Sequence, residues 1–164
     1  FNHYVPMGKP RLMVAFKNSS TDDWVRSEKF DMTIVPFHTS IFKNPATQSL
    51  DRNGLSLILS SPEQAFLECL HLVPDHYNYM DLYYIMEQLT SLDPYKVQTA
   101  LENTSSQRIK RMFLYMAEKA GHYWFDMLDM DKFGLTASKL QLVDNGVYIS
   151  KYRITVPKEL SDYE

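Results

Sequence analysis

The chain has 164 residues, of which 45% are hydrophobic and 13% aromatic, which is enough apolar mass for a core and excludes a wholly disordered polypeptide. A net charge of -3 singles out neither nucleic acid nor membrane as a partner. The single cysteine, Cys69, excludes an internal disulfide and fits a reducing cytoplasm, and no run approaches the roughly 18 apolar residues of a membrane span.

The sequence opens at Phe1 without a methionine and enters a strand-like run, His3-Tyr4-Val5, at once. This reads as a fragment of a longer protein. Tyr4-Val5 and Leu12–Phe16 flank a turn-like Pro6–Pro10, which predicts a hairpin. Asn18–Asp23 reads as a polar loop running into a short turn around Trp24, and Met32–Val35 as a strand. Residues 38–54 read as a connector, and Leu55–Leu59 as a strand.

The period changes at Ser61. Ser61 can cap a helix, Pro62 suits its first position, and Gln64 can close a capping box. Phe66, Cys69, Leu70 and Val73 then form one apolar stripe. Tyr79, Leu82, Tyr83 and Met86 predict a second helix, and Asp93-Pro94 opens a third with Val97, Ala100 and Leu101 inside. Ser106 opens a fourth, with Ile109, Met112, Phe113, Met116, Ala117 and Ala120 on one face and Gly121 as its left-handed terminator. Lys139–Val143, the turn Asp144-Asn145-Gly146, Val147–Ile149 and Tyr152–Val156 predict a β-rich end with a hairpin. The expected class is α+β in a single domain: residues 1–60 β-rich, 61–130 helical, 131–164 β-rich.

Few residues suggest catalysis. No Gly-rich phosphate loop and no zinc spacing is present, and no cofactor is implied. His71 and His76 lie five apart across Pro74, which suits structural or surface roles, and Cys69 reads as a buried inert thiol. Asp126, Asp129 and Asp131 match ordinary turn and capping chemistry; a metal would need them convergent. The crowded Tyr77, Tyr79, Tyr83, Tyr84 and Tyr95 suit an aromatic core with hydroxyls at the surface.

Charge is more informative. Residues 61–103 hold seven acidic side chains against Lys96, residues 104–121 hold four basic against Glu118, and residues 138–158 hold four basic against Asp144. On the fourth helix Arg108, Arg111, Tyr115 and Lys119 share a stripe away from the apolar face. With Lys110, Lys151 and Arg153 they form a candidate basic patch that could meet phosphates or a protein partner. The ordinary alternative has Leu114 and Tyr115 packed against a second layer and the charges solvated.

Three segments in series carry a resemblance: Ser61–Leu70 with Val73-Pro74, Arg108–His122 running into Trp124-Phe125, and Lys151–Leu160. Together with His3–Gly8 they resemble the C-terminal domain of AbiEi-type antitoxins, transcriptional regulators of type IV toxin–antitoxin systems. The stretches 17–28 and 38–53 match that family only loosely. The resemblance implies a two-domain regulator whose N-terminal winged helix, outside this sequence, binds operator DNA. It implies a C-terminal domain that supports this binding and opposes a nucleotidyltransferase-like toxin, with no catalytic residues of its own. The segment Arg108–Arg111 matches the family and is where function is expected. Two other readings stay open: a metal-dependent nuclease or nucleotidyl-transfer relative using Asp126, Asp129 or Asp131, and an oligomerisation module joined through Leu114 and Tyr115.

Overall fold

The computed structural model describes residues 11–16, 32–52 and 54–164. They form five α-helices and seven strands, an α+β fold, distributed over two compact units, 1–42 and 43–164. The boundary falls inside the stretch that reads as a connector.

In the first unit, β1 (Arg11–Phe16) pairs in parallel with β2 (Thr33–His38), Leu12 opposite Ile34 and Ala15 opposite Phe37. Phe37 is buried. The expected hairpin partner Tyr4-Val5 and the loop leading to Trp24 lie outside the described residues.

The second unit opens with a hairpin whose first strand lies inside the supposed connector and whose second is the strand expected at Leu55–Leu59. β3 (Thr47–Arg52) runs antiparallel to β4 (Leu55–Ser60), with Arg52 opposite Leu55. Gly54 lies in the turn with φ +79°, a left-handed value that favours glycine. The four helices then follow where the sequence predicts them. α1 (Pro62–His71) starts at Ser61, whose Oγ accepts from the Gln64 amide at 3.4 Å. The reciprocal half of the capping box is not made, because Gln64 Nε2 donates to Glu68 at 3.0 Å and the Ser61 amide to Ala46 O at 2.9 Å. α2 (Tyr79–Gln88) is capped by Asn78 and α3 (Pro94–Glu102) by Asp93. α4 (Gln107–Lys119) starts at Ser106, whose Oγ accepts from the Ile109 amide, and ends before Gly121 at φ +69°.

The core lies between α4 and its neighbours. Phe66 of α1 meets Phe113 of α4 edge-on at 5.6 Å, and Phe113 lies 6.1 Å from Trp124. Each such fully buried side chain contributes about 1.5–3 kcal/mol. α4 is buried well beyond its apolar face: every residue from Ile109 to Ala117 is less than 9% exposed.

Past α4, two 3-10 turns (Tyr123–Met127 and Met130–Phe133) lead to a three-stranded sheet. Its order corrects the expected hairpin. β7 (Ile154–Val156) sits between β5 (Leu140–Gln141), which it pairs in parallel, and β6 (Val147–Ile149), which it pairs antiparallel. The turn Asp144–Gly146 therefore does not join two paired strands; the C-terminal hairpin is β6–β7. Gly146 is required by space: a Cβ there would overlap Val156 O and crowd Val143 and Thr155. The chain closes with α5 (Lys158–Asp162), where a β-rich end was expected, and Leu160 anchors it in the core.

Candidate functional site

Helical periodicity places the cations of α4 on a polar stripe, but tertiary contacts turn them inward. Arg108 is half-buried at the end of α1, donating from Nη2 to His71 O at 3.2 Å and from Nη1 to Val73 O at 3.1 Å and Tyr79 Oη at 3.5 Å. Carbonyls at a helix C-terminus lack intrahelical donors and carry partial negative charge, so a guanidinium suits them. Lys110, 7% exposed, donates from Nζ to Phe133 O at 2.8 Å. Burial holds its ammonium below the usual lysine range, opposed by the field of Glu102.

Arg111 is 1% exposed and clamps the segment that follows the second 3-10 turn. Its Nη1 donates to Ser138 O at 2.7 Å and Arg153 O at 3.4 Å. Its Nη2 donates to Thr136 O at 2.5 Å, Thr136 Oγ1 at 2.7 Å and Gln107 Oε1 at 3.3 Å. Its buried Nε has no hydrogen-bond partner among the described residues. Burial, and next the charge of Arg153, lower its pKa. Tyr115 is buried against Tyr152, their rings edge-on at 6.3 Å, and burial raises its pKa. Lys119 donates to Ser161 O at 3.4 Å and Tyr163 O at 2.5 Å, holding the end of α5, with the Tyr83 ring 5.9 Å away.

Lys151 and Arg153 are exposed. Lys151 pairs with Glu118, which also accepts from Tyr152 Oη at 2.8 Å. Burial and that carboxylate push the Tyr152 phenol strongly up. Arg153 is the unusual residue: φ is +54°, in the left-handed region where a Cβ crowds the following carbonyl oxygen. Its Nη1 donates to Ala137 O at 2.5 Å.

The seven expected patch residues therefore do not share one surface. Arg108, Lys110, Arg111 and Lys119 tie backbone carbonyls of four different segments, 71–73, 133–138, 153 and 161–163, and Tyr115 is part of the core. Three of the seven, Arg111, Lys151 and Arg153, meet around one small cleft of about 190 Å³, together with Leu135, Thr136, Ala137 and Tyr152. The contribution of residues 135–137 carries no sequence signal: they are ordinary loop residues brought to the site by the Arg111 clamp.

Asp129 Oδ1 accepts from the Asp131 amide at 3.2 Å and Oδ2 pairs with Lys132 at 3.4 Å, turn chemistry at the start of a 3-10 helix. Among the described residues no three His, Cys, Asp or Glu side chains converge as metal ligands. Leu114 and Tyr115 are covered within the chain, so they offer no face for a second copy. Cys69 is buried and its thiol is pushed up to about 11 by desolvation. His122, which sequence reasoning passes over, bonds Met86 O at 2.7 Å and stacks on Trp124, whose Nε1 donates to Leu89 O at 3.0 Å. Both close the end of α2. No helix among the described residues is long and apolar enough to cross a membrane.

In comparison with known proteins, the family model described as transcriptional regulator, AbiEi antitoxin, type IV TA system matches residues 11–157. No curated protein and no solved structure matches the chain.

Proposed function

Since the chain belongs to the AbiEi antitoxin family of type IV toxin–antitoxin transcriptional regulators, we propose that it works by binding and not by catalysis. In this reading it is the cytoplasmic C-terminal module of a regulator. It supports operator binding by an N-terminal winged helix outside this sequence and opposes a nucleotidyltransferase-like toxin. The family match over residues 11–157 carries the reading.

The inward turn of the α4 cations relocates the surface available for a partner. Lys139 before β5, Lys151 and Arg153 in the turn between β6 and β7, and Lys158 at the start of α5 are exposed, whereas Lys110 and Arg111 are buried. Exposed cations attract phosphates and acidic surfaces with little desolvation cost.

The test is growth rescue. The full-length regulator and the toxin encoded beside it are co-expressed, with operator retardation measured in parallel. Wild type restores growth, and the Lys151→Glu/Arg153→Glu double variant loses rescue or operator affinity while keeping its melting temperature. Failure of wild type to rescue would reject the antitoxin role. Full retention of both activities by the double variant would reject the C-terminal surface.

A further inference from the structure

The clamp formed by Arg111 does not use the whole guanidinium. Both terminal nitrogens are spent on carbonyls, a hydroxyl and Gln107, while Nε is buried without a partner. Buried N–H groups without acceptors are rare in folded proteins and ask for an explanation. Arg111 lines a cleft whose other walls bring two more cations, Lys151 and Arg153.

Charge in the cleft is not balanced from within. Among the described residues Lys151 pairs with Glu118, while Arg111 and Arg153 form no ion pair with a carboxylate, and the two guanidiniums are close enough for Arg153 to depress the pKa of Arg111. Three cations face one carboxylate. Arg153 also reaches its position at a left-handed φ of +54°, although no glycine or asparagine stands there. Strained backbone at a cleft is a feature that binding sites retain.

We propose that this cleft binds a phosphoryl anion, with Arg153, Lys151 and the Thr136 hydroxyl at its rim and the Arg111 guanidinium beneath. A dianion matches the two uncompensated charges, and its several oxygens match guanidinium donors. At about 190 Å³ the cleft is smaller than the roughly 300 Å³ at which sites for whole small-molecule ligands begin. It takes the phosphoryl group alone, either as free phosphate or as the head of a phosphomonoester whose remainder stays in solvent. On binding, Arg153 leaves Ala137 O and turns onto the anion, and the Arg111 Nε–H gains its acceptor. This cleft shares Lys151 and Arg153 with the partner surface proposed above, but phosphate titration reads it without operator or toxin, so the two readings can fail separately.

The test is an NMR titration of the arginine Nε–H signals of the full chain, with sodium phosphate, adenosine monophosphate and sodium chloride at matched ionic strength. The Arg111 signal should shift saturably with phosphate and not with chloride. A tighter response to the monophosphate assigns a phosphoester as the source, and an equal or weaker one assigns free phosphate. Arg153→Gly removes the guanidinium, preserves the backbone carbonyl that Arg111 and Leu140 use, and suits a positive φ, so the fold is retained. It should weaken phosphate binding at least about tenfold, since it removes one charge-assisted contact. Lys151→Gln, an exposed change, should weaken it severalfold and serves as the second variant. No saturable shift with phosphate or monophosphate, an equal shift with chloride, or unchanged affinity in both variants would overturn the proposal.

Discussion

Replacing Arg111 by methionine, of similar length and without charge, tests the clamp directly. The guanidinium makes three bonds no longer than 2.7 Å, to Ser138 O, Thr136 O and Thr136 Oγ1, and two longer ones. A hydrogen bond to a charged group is worth about 1.5–3 kcal/mol, and a buried acceptor left without a donor costs about 1–3 kcal/mol. The gains are offset by the cost of burying the cation, so the terms do not simply add. Thr136 and Ser138 are exposed, so water can reach part of what is vacated. The net loss expected is about 3 kcal/mol, near the lower bound for breaking a buried charged network. For a unit of 122 residues, 43–164, that corresponds to a melting temperature lower by roughly 10 °C. Circular dichroism melts and urea titrations at neutral pH measure it. A variant within about 1 kcal/mol of wild type, the range of a surface ion pair, would refute the clamp.

Gly146→Ala forces Val156 O away from the new Cβ; it should cost about 1–3 kcal/mol, read by urea denaturation, as overpacking does. Asn78→Ala removes the acceptor that the Asp81 amide uses at 2.8 Å and should cost about 1 kcal/mol, the usual value of a helix cap. Stability should fall in alkali: Cys69 is raised from 9.0 to about 11 and Tyr83 from 10.0 to about 12, both chiefly by burial. Each folded-state group holds its proton where the unfolded one has lost it. The unfolded form is thus favoured progressively from pH 9 upward, through about 11 for Cys69 and about 12 for Tyr83. Denaturant midpoints taken between pH 8 and 11 check this, and native Cys69 should react with a thiol reagent far more slowly than the unfolded thiol.

The helices were legible because their signals are local. Ser61-Pro62, Asp93-Pro94 and Ser106 place a side-chain acceptor one step before an apolar stripe, and each cap forms at that point. The β3–β4 hairpin was hidden by composition, since Thr47-Gln48-Ser49-Leu50-Asp51-Arg52 has little alternation and both faces are largely exposed. Asn53-Gly54 was the readable clue. The insertion of β7 between β5 and β6 is a long-range choice that no turn signal encodes, and the five-residue α5 is too short to show a period.

The site was legible in residue type but not in direction. Periodicity correctly separates Arg108, Arg111 and Lys119 from the apolar face of α4. It cannot register that Val73, Thr136, Ser138 and Ser161 bring their carbonyls to that second face from 25 to 42 residues away. Arg153 was read as one more strand cation, although its backbone conformation and its neighbour Arg111 make it the residue around which the cleft closes.

Residue-resolved chemical labelling of the native chain measures the inward turn of the α4 cations most directly. Lysines are acetylated, arginines are treated with phenylglyoxal, and modification rates are read by mass spectrometry. Lys139, Lys151, Lys158 and Arg153 should label at rates near those of the unfolded chain, with Lys110 and Arg111 at least about tenfold slower, as fits groups withdrawn from water and bonded to carbonyls. Equal labelling of Arg111 and Arg153 would place the α4 cations at the surface and contradict the internal clamp.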